Sequence, residues 1–251
     1  MEIIRNARAQ HEPERVPRLG ILMLDTRFPR IAGDLGNPET WPFPVLVARI
    51  DGATPERVVD RKAQGLLEPF VAGGEALIHA GATGIVTTCG FLSLFQRPLA
   101  GRLRVPVATS SLLMVPLIER LLPVGRRVGV VTFSKSLLTP EHLLAAGASA
   151  DTPVEGVPPD GVLATVIRKG ESALDEHAVA AEVLSAGRRL AAAHPDVGAV
   201  VVECTNMPPY TRALRAALDM SVYDGYDFFC WFYAGLGSMA EPRWPASSPS
   251  Y

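Results

Sequence analysis

The chain has 251 residues, of which 48% are hydrophobic and 20% are charged, a balance typical of a soluble globular protein with a substantial core. Its formal net charge of -2 gives no reason to expect nucleic acid or an anionic membrane surface as a partner. We find no signal-peptide pattern and no apolar run of the roughly 18 residues that a membrane helix needs, so we expect a cytoplasmic protein. Its three cysteines have neither disulfide-framework nor zinc-ligand spacing, and we expect no metal.

The first half of the chain alternates short apolar runs with helical patterns. Residues 1–17 are polar and are expected to form an irregular arm, and residues 25–44 a long loop. A Thr-Pro pair opens a predicted helix over 54–81, with a break expected near Pro69. The other predicted elements are strands over 18–24, 45–50, 83–89 and 105–111 and a helix over 111–123.

The second half repeats this pattern. Gly20 and Gly129 occupy the same place in two similar apolar runs and are 109 positions apart. Cys89 and Cys204 end another pair of similar runs and are 115 positions apart. Nearly constant offsets indicate an internal duplication. The predicted elements of this half are strands over 127–133, 197–204 and 220–227 and helices over 139–147, 172–194 and 208–219.

Strands that alternate with helices indicate a parallel sheet in each half. We therefore predict an α/β fold of two similar three-layer lobes related by pseudo-twofold symmetry, with the active site in the cleft between them. The first lobe is predicted to comprise residues 18–111 together with 228–251, and the second residues 112–227. Ligands of such sheets bind beyond the carboxyl ends of the strands.

Two cysteines occupy matching strand ends in the repeat. Cys204 comes just before Asn206, a favourable helix N-cap, and two prolines that suit a first helical turn. A helix N-terminus lowers the pKa of a nearby thiol, so we predict a thiolate at Cys204. Two such groups suit a reaction with a base on one face of a carbon and an acid on the other. Cys89 is the second group, whereas Cys230 has no counterpart and is predicted to be core.

Three other classes of protein are alternatives to an enzyme with two catalytic thiols. A cysteine hydrolase needs a base beside one cysteine, and no histidine lies in such a position. Glu203 is not predicted as the base, because alternation along the strand would point it away from the Cys204 thiol. A non-catalytic small-molecule binder would suit a two-lobed fold equally well. An enzyme using pyridoxal phosphate is disfavoured, since only Lys135 is near a strand end and no phosphate-binding glycine loop is evident.

The sequence resembles the aspartate/glutamate racemase superfamily, which includes hydantoin racemases and has maleate isomerase and arylmalonate decarboxylase as relatives. The stretch ECTNMPPY is similar to the family's second-cysteine motif, Cys-Thr-(His or Glu)-aromatic-Pro, and matches it at Cys204, Thr205 and Pro208. Asn206 and Met207 replace the two variable residues of that motif. The stretch TTCGF matches the first-cysteine motif only in its cysteine, and GNPET resembles the Asn-Pro-x-Thr of hydantoin racemases.

The resemblance implies a cofactor-independent isomerase, a racemase or epimerase of an amino acid or a related carboxylate. One cysteine thiolate removes the α-proton and the other thiol returns a proton to the opposite face. Family members hold the substrate with the residues beside each cysteine, and because those residues differ here we do not expect glutamate as substrate. The differing residues are Gly90, Phe91, Asn206 and Met207. A hydantoin racemase, a maleate isomerase or an arylmalonate-decarboxylase-like enzyme stays an alternative, and a homo-oligomer stays open.

The enediolate formed by α-proton removal needs preorganised hydrogen-bond donors. The candidate donors are the backbone N–H groups after each cysteine, the hydroxyls of Thr40, Thr88 and Thr205 and the amide of Asn37. Thr132 and Ser134 end the strand that repeats the first strand of the chain, and we expect them to line the cleft.

Four charged residues near these elements are assigned less specific roles. Arg27 and Arg30 could bind a substrate carboxylate, but we favour solvated loop charges for both. Asp34 and His79 are expected to be structural or exposed.

Overall fold

The computed structural model describes residues 2–11, 16–170 and 174–237. Residue 1 and residues 12–15 of the predicted arm, residues 172 and 173 of a predicted helix, and residues 238–251 of the predicted first lobe lie outside the described residues. Within the described part, no helix is long and apolar enough to cross a membrane.

Two separate sheets form the framework. The first has the strand order β1-β3-β2-β4-β5 and the second the order β7-β6-β8-β9. All pairs are parallel except the antiparallel pair of β1 with β3. The strands are β1 (Ile3–Arg5), β2 (Leu19–Met23), β3 (Val45–Arg49), β4 (Gly84–Thr87), β5 (Val107–Ala108), β6 (Arg127–Thr132), β7 (Val154–Gly156), β8 (Val197–Val202) and β9 (Ser221–Tyr223).

The two sheets repeat one topology, which confirms the α/β fold with two similar lobes. In the first sheet β2 lies between β3 and β4, and β5 follows at the edge. In the second sheet β6 lies between β7 and β8, and β9 follows at the edge. The central strands β2, β4 and β8 are largely apolar and, apart from half-buried Gly198, buried, as expected for parallel strands covered on both faces.

Helices cover the sheets. They are α1 (Ala7–His11), α2 (Leu67–His79), α3 (Gln96–Arg102), α4 (Val115–Leu121), α5 (Pro140–Ala145), α6 (Val162–Lys169), α7 (Glu176–Ala193), α8 (Pro208–Leu218) and α9 (Gly225–Ala234). Short 3-10 turns span Pro38–Thr40, Gly90–Phe95 and Ser111–Met114, and a π-helical turn spans Glu56–Asp60.

The prediction of an irregular N-terminal arm is wrong for the part that the structure describes, where β1 and α1 form. Asn6, which is 2% exposed, explains why. Its amide donates to the Phe43 carbonyl at 2.9 Å, and its side-chain oxygen accepts from the backbone N–H groups of Ala9 and Val45. One buried amide therefore starts α1 and fixes the arm along β3, a tertiary effect that polar composition does not reveal.

The predicted helix over 54–81 breaks earlier than expected. Lys62 and Ala63 adopt positive φ angles of 49° and 53° between the π-helical turn and α2. Pro69 lies in the first turn of α2, where its missing N–H removes no helical hydrogen bond. The break therefore lies N-terminal to the proline.

Three further differences concern the second lobe. The short strand β7 and the helix α6 were not predicted. The predicted strand over 220–227 ends at Tyr223, because the Asp224 carboxylate accepts from the N–H groups of Tyr226 and Asp227 and starts α9. Helix α9 then packs against the first lobe, where the ring of Tyr233 stacks on Phe43 at 3.7 Å between centroids. The lobe boundaries themselves stay a prediction.

Candidate active site

Matching strand ends bring two cysteines to one cavity. Cys89 follows β4 and Cys204 follows β8, so each comes after the same strand of its lobe. The cavity contains about 390 Å³ of space free of protein atoms, part of which is open to solvent. Its lining residues are Leu24, Thr26, Phe28, Arg30, Pro55, Val59, Thr88, Cys89, Gly90, Phe91, Phe133, Ile167, Glu203, Cys204, Thr205 and Asn206.

Cys89 is a neutral thiol in this cavity. Cys89 is the N-cap residue of the 3-10 turn Gly90–Phe95, where its side chain makes no capping hydrogen bond, although the backbone N–H groups of Phe91 and Leu92 are near enough to act on its sulfur electrostatically. Burial, and then the negative charge of Glu203, raise the pKa of the Cys89 thiol to about 12, whereas those two N–H groups and the charge of Arg30 lower it.

The prediction of a thiolate at Cys204 is wrong. Burial, followed by the charge of Glu203, raises the pKa of the Cys204 thiol well above its ordinary value. Helix α8 begins at Pro208 with Met207 as its N-cap, so Asn206 is not the cap either. Its first two residues are prolines without N–H groups, and the helix terminus therefore presents few donors to the sulfur. The thiol lies 3.7 Å from Oδ1 of Asn206.

Glu203 lines the cavity together with both cysteines, so the expectation that it points away is wrong. It follows the last residue of β8, where strand alternation no longer applies. Glu203 is 1% exposed, and its Oε2 accepts from the Thr132 hydroxyl at 2.6 Å. Burial raises the pKa of its carboxyl to about 7, against the hydrogen bond from Thr132. Its Oε1 has no hydrogen-bond partner among the described residues.

Arg30 is a half-buried part of the cavity wall and not the solvated loop charge that we favoured. It donates to Asp34 at 2.7 Å and to the Thr26 hydroxyl at 2.9 Å, and it lies over the ring of Phe28, 4.8 Å from the centroid. Asp34 was expected to be either structural or exposed, and it is buried with a structural role. Its second oxygen accepts from the Asn206 amide at 2.6 Å.

The predicted hydroxyls already take part in hydrogen bonds within the protein, Thr205 and Thr132 as donors and Thr88 as an acceptor. Thr205 donates to the Thr88 carbonyl at 2.6 Å, across the two lobes. The Thr88 hydroxyl accepts from the Leu24 N–H at 3.2 Å, and the Thr132 hydroxyl holds Glu203. Thr88 and Thr205 line the cavity, whereas Thr132 reaches it only through Glu203.

Four other candidates lie outside the cavity. The hydroxyl of Thr40 donates to the Asp34 carbonyl at 2.7 Å, and the amide of Asn37 donates to the Arg30 carbonyl at 3.0 Å. The GNPET stretch therefore fixes the long loop. Ser134 faces a separate open groove beside Lys135, and Arg27 is exposed. Exposed His79 and half-buried Cys230 are also outside it.

Sequence reasoning named Phe91 only as a residue beside Cys89, and it missed Phe28 and Phe133 as parts of the lining. Phe28, Phe91 and Phe133 all contribute to the cavity wall. Phe133 directly follows β6 and Phe91 lies two residues after Cys89, so the strand-end rule that found the cysteines could have found both. Among the described residues, no group of three His, Cys, Asp or Glu side chains could hold a metal ion.

Curated relatives align with most of the chain. A dimethylsulfoniopropionate lyase of Durusdinium sp. clade D is 27% identical over 228 residues, 84% of this chain and 73% of that protein. Dimethylsulfoniopropionate lyase 6 of Emiliania huxleyi (strain CCMP1516) is 26% identical over 230 residues, 83% of this chain and 57% of that protein. The chain thus spans little more than half the length of some relatives.

Solved structures share the fold. A variant of arylmalonate decarboxylase in a sulfate-associated form superposes with a TM-score of 0.61 at 16% identity, over 91% of this chain and 97% of that chain. Glutamate racemase from Francisella tularensis in complex with D-glutamate gives a TM-score of 0.53 at 12% identity, over 91% and 86% of the two chains. The sequence model described as Asp/Glu/Hydantoin racemase matches residues 46–232. The chain therefore belongs to the Asp/Glu/hydantoin racemase family.

Proposed function

We propose that the protein is a lyase that removes the α-proton of a small carboxylate carrying a cationic leaving group on its β-carbon. Dimethylsulfoniopropionate is the substrate we propose to test first. The observation that carries the proposal is the convergence of Cys89, Cys204 and Glu203 on one buried cavity. The naming of the curated relatives as dimethylsulfoniopropionate lyases supports the choice of elimination.

The reaction needs a base that can remove a weakly acidic C–H proton. A thiolate is a stronger base than a carboxylate, but a pKa of about 12 keeps the Cys89 thiol protonated near neutral pH, so the base forms only when a bound cation lowers that pKa. We assign this role to Cys89, because two backbone N–H groups and the charge of Arg30 favour its thiolate. The Cys204 sulfur interacts with one backbone N–H, and the charge of Asp34 opposes its ionisation.

The proposed reaction is a β-elimination. The Cys89 thiolate takes the α-proton, the C–H electron pair forms the double bond between the α- and β-carbons, and the C–S bond breaks with its electrons leaving on sulfur. The products are acrylate and dimethyl sulfide. The thiol then loses the proton to water, which regenerates the base.

A racemase or epimerase is the second candidate. The two thiols come from corresponding strands of two lobes related by pseudo-symmetry, as a reaction on both faces of one carbon requires. In that reaction Cys204 returns a proton to the face opposite Cys89. Racemisation therefore needs both thiols, whereas elimination needs one base.

Product release by variants separates these candidates. The purified protein is incubated with dimethylsulfoniopropionate, dimethyl sulfide is measured in the headspace by gas chromatography, and acrylate is measured by proton NMR. We expect equal amounts of both products and a loss of 100-fold or more (on the order of what a general base contributes) in Cys89→Ser. Cys230→Ser is the matched control and should retain full activity, because Cys230 lies outside the cavity.

Other outcomes identify the alternatives. Absence of dimethyl sulfide, together with deuterium exchange at the α-carbon of amino acids or hydantoins in D₂O, indicates a racemase. In that case both Cys89→Ser and Cys204→Ser should lose racemisation. Ligand binding without turnover or exchange contradicts catalysis and supports the non-catalytic binder.

A further inference from the structure

The carboxylate of Glu203 is buried with one oxygen left unpaired. Oε2 accepts from Thr132, but Oε1 has no hydrogen-bond partner among the described residues. This oxygen faces the turn after Cys89, since a Cβ built on Gly90 would lie 2.1 Å from it. Buried charges without a partner are costly, and in native proteins such a group usually marks a function or an absent ligand.

We propose that Glu203, with the rings of Phe28, Phe91 and Phe133, forms the binding site for an alkylated onium headgroup, a sulfonium or a quaternary ammonium. The inference rests on the proposed function in that it concerns the same cavity, but it can be tested without turnover. The headgroup places its positive charge against the unpaired oxygen and its methyl groups against the rings.

The charge of the lining favours a cation. Arg30 and Glu203 are the two charged residues among those that line the cavity. Asp34 balances Arg30 at 2.7 Å, whereas Glu203 has no cationic partner among the described residues. Above pH 7, where Glu203 is ionised, the interior therefore has a net negative charge, which opposes a substrate with two carboxylates and favours one with a cationic group.

The available acceptors favour an alkylated cation over a primary ammonium. An ammonium has three N–H donors, each of which needs an acceptor when it is buried. The Thr88 carbonyl already accepts from Thr205, and Oδ1 of Asn206 lies within hydrogen-bond reach of the Cys204 thiol. A sulfonium or quaternary ammonium has no N–H donors and leaves none unsatisfied.

The aromatic lining suits methyl groups attached to a positive centre. Alkylated cations are bound on aromatic faces by electrostatic attraction to the ring. Two of these rings already attract cations from within the protein, since Arg30 lies 4.8 Å from the Phe28 centroid and Arg168 lies 5.6 Å from that of Phe133. Phe91 meets the ring of His142 edge to face, and no arginine of the described residues is placed over it.

A bound onium group also prepares the base. The charge of Glu203 raises the pKa of both cavity thiols. A cation beside Glu203 offsets that charge and favours the thiolate of Cys89. Substrate binding therefore increases the fraction of the base that is ionised.

The test uses two ligands of the same shape that differ in charge. Calorimetric titrations at pH 8 compare 3-(trimethylammonio)propionate with 4,4-dimethylpentanoate, an isostere whose headgroup is uncharged, and with 3-aminopropionate as the primary ammonium. The wild-type protein should bind the trimethylammonio compound at least tenfold more tightly than either of the others. Glu203→Gln should remove the preference over the isostere, and the matched control Glu39→Gln, an exposed carboxyl, should keep it.

Glu203→Asp tests the charge if the glutamine variant does not fold, and it should retain a reduced preference. Two results overturn the proposal. One is equal binding of 3-(trimethylammonio)propionate and 4,4-dimethylpentanoate by the wild type, and the other is an unchanged preference between them in Glu203→Gln. Dimethyl sulfide release without an onium preference would leave the proposed function standing and this site refuted. A Glu203-dependent preference for the onium ligand without any elimination would support this binding site and refute the proposed lyase function.

Discussion

Glu203 and Gly90 are in direct contact across the two lobes, so closely that a Cβ on Gly90 would lie 2.1 Å from Oε1 of Glu203. Real Cβ atoms do not approach another atom so closely, so any other residue after Cys89 requires the Glu203 side chain to shift. Each partner is adjacent in sequence to one cavity cysteine, Gly90 to Cys89 and Glu203 to Cys204. The contact therefore holds both thiols and the carboxylate in one arrangement.

Gly90→Ala should displace the Glu203 carboxylate. We expect the free energy of unfolding to fall by about 1–3 kcal/mol, the usual cost of an extra methyl group in a packed core, and dimethyl sulfide release to fall with it. Denaturant unfolding and the headspace assay measure the two effects. Gly101→Ala is the control, because its added methyl group meets no atom within 4 Å and should not reduce either quantity. Unchanged activity in Gly90→Ala would contradict the role of this contact.

Glu203 should make stability depend on pH. Its carboxyl has a pKa of about 7 in the folded protein against an ordinary value of 4.5, so the folded state binds more protons than the unfolded state between these values. Stability is therefore lost as pH rises from about 4.5 to above 7, by an amount on the order of 3 kcal/mol. Burial lowers the pKa of the His142 imidazole to about 4, which adds stability as pH rises to about 6.5, so the Glu203 contribution is measured as the difference between wild type and Glu203→Gln in denaturant unfolding at pH 5 and pH 8. Parallel pH profiles of the free energy of unfolding in the wild type and Glu203→Gln would contradict this effect of Glu203.

Both cavity thiols should react slowly with alkylating reagents. Only the thiolate is nucleophilic, and the pKa of Cys89 is raised to about 12. We expect the rate of modification by iodoacetamide at Cys89 and Cys204, followed by peptide mass spectrometry, to rise steadily up to pH 10 without a plateau. Addition of 3-(trimethylammonio)propionate should protect both sites. Rapid modification at pH 7 would show that the thiolate is populated after all.

Much of the fold was accessible from the sequence because it depends on local patterns. Apolar runs located β2, β4, β6 and β8, and the repeat offset predicted two lobes with the same topology. The elements that were missed depend on tertiary contacts. The buried side chain of Asn6 organises the N-terminal arm, and the carboxylate of Asp224 ends the strand that was predicted to continue.

In the candidate site, too, the features that depend on local patterns were predictable and those that depend on tertiary contacts were not. The strand-end rule brought Cys89 and Cys204 together in one cavity, but it could not supply their electrostatics. Helix dipole reasoning predicted a thiolate at Cys204, whereas burial and the charge of Glu203 dominate. The orientation of Glu203 depends on a contact with Gly90 in the other lobe, and no local pattern encodes such a contact.

Thr205 offers a direct test of whether a predicted substrate-binding residue is a structural one. Its hydroxyl is 2.6 Å from the Thr88 carbonyl, and both residues are buried. Thr205→Val keeps the shape but leaves that carbonyl unpaired, so we expect the free energy of unfolding to fall by about 1–3 kcal/mol. Thr205→Ser keeps the hydroxyl and should lose less. If the residue acts through this bond, calorimetric affinity for 3-(trimethylammonio)propionate should change by less than about threefold, below the tenfold that 1.4 kcal/mol of direct binding would give. A larger loss of affinity at unchanged stability would instead place the hydroxyl on the ligand.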